Sequence, residues 1–115
     1  MIYGRAALVL FLSCAALSAP ARAAGALSFG AGMSSCATWL ENEDNYRVGT
    51  TWIDGFWTGM NQMNEANPAV GEATDPEGIY ADIRGMCAAQ PSMKLLQATW
   101  QAYRTMESSG PHRQN

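Results

Sequence analysis

The sequence predicts an all-α fold: a small four-helix domain closed by one disulfide. Apolar residues recur at helical steps, with no sustained alternation of apolar and polar positions and no hairpin dipeptide. Proline and asparagine punctuate the chain at intervals that suit helices of two to five turns. Finally, Cys36 and Cys87 are the two thiols that remain once an N-terminal export signal is set aside.

That signal is read over residues 1–23. Arg5 supplies the positive start, Ala6 to Ala19 an apolar run, and Ala21-Arg22-Ala23 small residues at the positions a signal peptidase inspects. The run falls short of the roughly 20 residues that a membrane span needs, which disfavours a retained anchor. Acylation at Cys14 is disfavoured because Leu12 is bulky where a small residue is usual. Cleavage after Ala23 puts the mature protein in the periplasm, with no membrane insertion.

Ala24 to Ser35 is rich in Gly, Ala and Ser and reads as a flexible lead-in. Cys36, Trp39 and Leu40 then share one face of a short first helix, which the polar stretch Glu41 to Asn45 ends. From about Tyr46 to Ala66 a longer helix places Val48, Trp52, Phe56, Met60 and Met63 along one apolar stripe, the expected core face. Asn67-Pro68 and Gly71 mark a loop up to Thr74. Asp75 is the expected N-cap of a third helix, with Pro76 at its first position and Ile79, Ile83, Met86 and Cys87 facing inward. Gln90-Pro91 stops it and opens the fourth, where Met93, Leu96, Trp100 and Tyr103 are expected inside. The helical domain thus covers 36–107, and 108–115 reads as a disordered tail.

A Cys36–Cys87 bond closes a loop of about 50 residues, worth roughly 4 kcal/mol by the chain-entropy argument and so a large share of the stability of a small domain. A redox role lacks the C-x-x-C spacing and a basic neighbour.

Composition narrows the function classes. Without Arg5 and Arg22, five Lys and Arg face ten Asp and Glu, a net charge of −5. Nucleic acid and anionic membrane surfaces both call for clustered positive charge, so neither is an expected partner. The only histidine, His112, lies in the tail, which leaves no Ser/His/Asp or Cys/His pair, no metal-ligand set and no cofactor motif in the helical region. Asp54 and Asp82 are carboxylates that a glycosidase-like pair would need, but their helical positions read as solvated. The chain is therefore not expected to be an enzyme.

Gly55 and Gly59, spaced G-x-x-x-G, are expected to let another helix backbone approach closely. Trp57 adjoins Phe56, so it either fills a wide apolar face or stands partly exposed as a partner anchor. With Met60 and Met63 it forms the candidate partner-binding set, for a protein partner, an unfolded client or a second copy of the chain.

The motifs Cys36-Ala-Thr-Trp39, Trp52-Ile-Asp-Gly55-Phe-Trp-Thr-Gly59, Asp75-Pro-Glu-Gly78-Ile79 and Cys87-Ala-Ala-Gln-Pro91 look like a group of small exported proteobacterial proteins. Their order also resembles the HdeA/HdeB acid-stress chaperones and, more loosely, the Tai-type immunity proteins of type VI secretion. The first resemblance implies an acid switch in which protonated carboxylates loosen the protein and expose an apolar helical surface to unfolding clients. The second implies a surface that plugs a toxin. The sequence departs from the chaperones in having a single lysine, Lys94, where they are Lys-rich, and a heavier Trp content in its central helix.

Overall fold

The computed structural model describes residues 25–110. The export signal and the last five residues lie outside the described residues. A single 3-10 turn at Gly30–Met33 precedes four α-helices: α1 (Cys36–Trp39), α2 (Glu43–Met63), α3 (Pro76–Ala89) and α4 (Leu95–Ser109). There is no strand among the described residues, and none of their helices is long and apolar enough to cross a membrane.

Each helix begins where a side chain answers the free backbone N–H groups of a first turn. Ser35 Oγ accepts from the Thr38 N–H at 3.1 Å to start α1. Asn42 Oδ1 accepts from the Asn45 N–H at 2.8 Å, so α2 starts at Glu43, a turn earlier than its apolar pattern suggests. Glu43 and Asp44 then sit at the favourable end of the helix dipole. Asp75 caps α3 as expected: its carboxylate accepts from the Gly78 N–H at 2.8 Å, with Pro76 in the first turn. The Gln97 side chain reaches back to the Lys94 N–H at 3.2 Å, so α4 opens at Leu95 and not at Pro91. It continues to Ser109, two residues into the segment expected as tail.

The Cys36–Cys87 disulfide is formed, with both sulfurs buried and the two Cα atoms 5.2 Å apart. It joins the start of α1 to the last turn of α3. Backbone bonds extend that junction to the loop before α4: the Cys36 N–H donates to the Met93 carbonyl (2.7 Å), the Ala37 N–H to Pro91 (2.9 Å) and the Leu95 N–H to Ser34 (2.9 Å).

The lead-in is not free beyond Phe29. Gly32 is buried against the Trp52 ring, and a Cβ there would come within 2.1 Å of it. Trp52 Nε1 donates to the Phe29 carbonyl at 2.9 Å. An indole needs a flat apolar bed and an acceptor, and a Gly-rich turn provides both.

The core contains Cys36, Trp39, Ile53, Trp57, Val70, Tyr80, Ile83, Cys87, Leu95, Ala98, Ala102 and Tyr103. On α2 the inward line is therefore Gly49, Ile53 and Trp57, one residue on from the expected stripe. On α3 Tyr80 takes the buried place expected for Ile79, which is half-buried with Met86. On α4 the buried residues are Leu95, Ala98, Thr99, Ala102 and Tyr103, while Trp100 is exposed. Small residues at Gly49, Ala98 and Ala102 let helices pack closely, and the wide rings beside them move to the rim.

A candidate contact surface on α2 and α4

The stripe expected to be core is unbroken along α2 but lies largely outside it. Val48 is 59% exposed and Met63 81%, with Trp52, Phe56 and Met60 half-buried between them. No charged residue interrupts this line from Val48 to Met63, about 22 Å at the helical rise.

Ring contacts join it to α4. Trp52 stacks on Phe56 with centroids 5.4 Å apart, and Phe56 meets the edge of Trp100 at 6.3 Å. Trp100 stacks in turn over Tyr103 at 6.4 Å, and the Arg104 guanidinium lies 5.6 Å from its ring. The indole of Trp100 is 40% exposed. At one end Leu27 and Phe29 add open apolar surface beside Trp52.

A polar junction holds the other end of the stripe in shape. Asn64 Nδ2 donates to Glu107 Oε1 at 2.6 Å and to the Tyr103 hydroxyl at 3.2 Å, and that hydroxyl donates to Asn61 Oδ1 at 2.9 Å. These bonds tie the end of α2 to the last two turns of α4, beneath Met60 and Met63.

Of the candidate partner-binding residues, Met63 is exposed and Met60 half-buried. Trp57 is not available: it is 6% exposed, its Nε1 donates to the Val70 carbonyl at 2.8 Å, and its ring meets Tyr103 edge-on at 5.0 Å. An indole with both an apolar pocket and an acceptor in reach belongs inside. Trp52, Phe56 and Trp100 provide the surface aromatics instead.

The two glycines are also corrected. A Cβ on Gly55 or Gly59 would meet nothing within 4 Å, so neither makes room for a helix of this protomer. Gly49 does that: a Cβ there would come within 2.2 Å of Trp39, whose ring stacks on Tyr46. The signal for Gly49 was its place one step before Ile53 and Trp57 in i, i+4 order. The equally regular Val48 line beside it hid that signal.

Asp54 and Asp82 are both exposed and do different things. Asp54 accepts from the Tyr80 hydroxyl. Burial, and then that carboxylate, hold the Tyr80 phenol above its ordinary pKa, because both disfavour phenolate. Asp82 lines a separate cleft with Val70, Thr74, Thr105 and Ser109. Among the described residues no group of three or more His, Cys, Asp or Glu side chains is placed to hold a metal. Comparison of the chain with protein-family models, curated proteins and solved structures finds no match.

Proposed function

We propose that this is a non-enzymatic periplasmic protein that acts through protein contacts, as a stress chaperone of the HdeA kind, holding clients on the α2 stripe and Trp100. The observation that carries this reading is the exposure of the longest apolar stripe in the chain. A small domain normally buries such a line, and a contiguous apolar patch left outside the core marks a contact surface. Its chemistry suits varied clients, because methionine side chains such as Met60 and Met63 adapt their shape and the adjoining Trp rings supply large contact area. The sequence resemblance to acid-stress chaperones supports the same direction.

The acidic balance gives the reading its trigger. Protonation of all ten Asp and Glu carries the mature chain from −5 to about +6 with His112 charged, termini aside. Charge repulsion then loosens helix packing while the disulfide keeps the ends of α1 and α3 together.

The test follows aggregation of an acid-unfolded client from neutral pH to about pH 2, with wild-type protein and with Met63→Gln. Wild-type protein is expected to suppress aggregation in acid, and Met63→Gln to suppress it less at unchanged stability. Failure of the wild type to protect any client across that range overturns the chaperone reading and leaves recognition of one folded partner, such as a toxin.

A further inference from the structure

We infer that the same face of α2 is a self-pairing surface, on which a second copy of this chain docks with its α2 antiparallel, centred between Gly55 and Phe56.

The first observation is the pair of open glycines. Gly55 and Gly59 lie in the middle of a 21-residue helix, have negative φ, and would accept a Cβ with no contact within 4 Å. Glycine at such positions weakens a helix relative to alanine, and nothing within the protomer requires it. A requirement outside the protomer remains, and the close approach of another backbone is what a bare Cα permits. Gly85 on α3 is open too, but its exposed neighbours Ala81, Ala88 and Ala89 offer little apolar area.

The second observation is independent of the glycines: the exposed apolar side chains around them are ordered so that large meets small when the helix is set against itself. With the midpoint between Gly55 and Phe56, Phe56 falls opposite Gly55 of the other copy, Trp52 opposite Gly59, and Val48 opposite Met63. A twofold axis generates every one of these pairs twice, which is what a self-complementary surface requires. The face is also uncharged from Val48 to Met63, so two copies of an acidic protein bring no like charges together along it. The α2 face alone is narrow for a stable dimer of about 800 Å² per partner, and exposed Trp100, Phe29 and Leu27 beside it extend the contact.

This inference rests on the reading of the stripe as a contact surface, but the two fail separately. The oxidised protein is recovered from an exporting host and followed by sedimentation equilibrium at neutral pH from submicromolar to high micromolar concentration. A monomer–dimer equilibrium is expected. Gly59→Leu is expected to weaken the dimer at least roughly tenfold, since the clash occurs twice, while the melting temperature of dilute protein holds or rises. As a second measurement, the double variant Val48→Cys/Met63→Cys is expected to give covalent dimers under mild oxidation, because these sites are too far apart within one helix to bond to each other. Val48→Cys alone is expected to give none.

A monomer at every concentration, a dimer indifferent to Gly59→Leu, or no linkage in the double variant overturns the inference. Client protection by a monomer keeps the chaperone reading without it. A dimer of the stated register that protects no client keeps the inference and removes the reading.

Discussion

Tyr80 shows how a single residue joins burial to electrostatics. Its ring lies in the core at 5% exposure while its hydroxyl donates to Asp54 on α2, so α2 and α3 share one polar contact at the edge of an apolar interface. The neutral phenol is the favoured form in the folded protein, by burial first and the carboxylate second. Below the unfolded phenol's pKa of about 10, both states hold the proton and the contribution is complete. As pH rises past that value the unfolded chain releases the proton and the folded chain retains it, so stability falls. Urea unfolding of Tyr80→Phe is therefore expected to show a shallower loss of stability above about pH 10 than the wild type. At neutral pH the variant is expected to lose about 0.5–1.5 kcal/mol with the hydrogen bond. Equal alkaline slopes for the two proteins would remove Tyr80 from this account. Nothing in the sequence pointed to Tyr80, because Ile79 beside it is the more apolar residue and equally well spaced. The Asp75 cap, in contrast, was legible, since only a residue before proline with a short acceptor side chain fits that corner.

At the scale of the helix, the number and kind of elements were legible and their faces were not. Periodicity reports that a stripe exists. When two adjacent stripes are both apolar it does not say which one is buried. On α2, Val48/Trp52/Phe56 and Gly49/Ile53/Trp57 run side by side, and the line containing a glycine won because Trp39 needs the space that Gly49 leaves. On α4, Ala98 and Ala102 turn inward for the same reason and Trp100 turns out. The lead-in was misjudged through a long-range contact: only the Trp52 indole, 23 residues away at its bond to Phe29, gives that Gly-rich turn a place to pack. A contrast between glycines tests this picture. Gly49→Ala is expected to destabilise by about 1–3 kcal/mol through overpacking against Trp39. Gly55→Ala, measured in dilute monomeric protein, is expected to stabilise by roughly 0.5–1 kcal/mol because the helix gains propensity and nothing is displaced. Equal effects from the two substitutions would contradict the packing assigned to α2.

For the whole molecule, the disulfide organises more than the two helices that it joins. Cys36 is the first residue of a four-residue helix, too short to persist by its own hydrogen bonds. It is held by the bond to Cys87, and its N–H and that of Ala37 bind the carbonyls of Met93 and Pro91, so the loop leading into α4 is fastened at the same point. Trp39, one turn on, then reaches Gly49 and donates to the Tyr46 carbonyl at 3.0 Å, which carries the connection to α2. Breaking the covalent link releases a 51-residue loop in the unfolded chain and also loosens this chain of contacts in the folded one. Cys87→Ser is accordingly expected to lower the melting temperature by at least roughly 10 °C, given a loss of several kcal/mol and about 4 °C or more per kcal/mol for a domain of this size. The effect is expected to appear equally when the wild type is reduced, because the lost constraint is the same and the serine hydroxyl adds only a small penalty of its own. A Cys87→Ser protein that melts within a few degrees of the oxidised wild type would mean that the buried contacts of Trp39, Ile83 and Leu95 hold α1 in place without the bond.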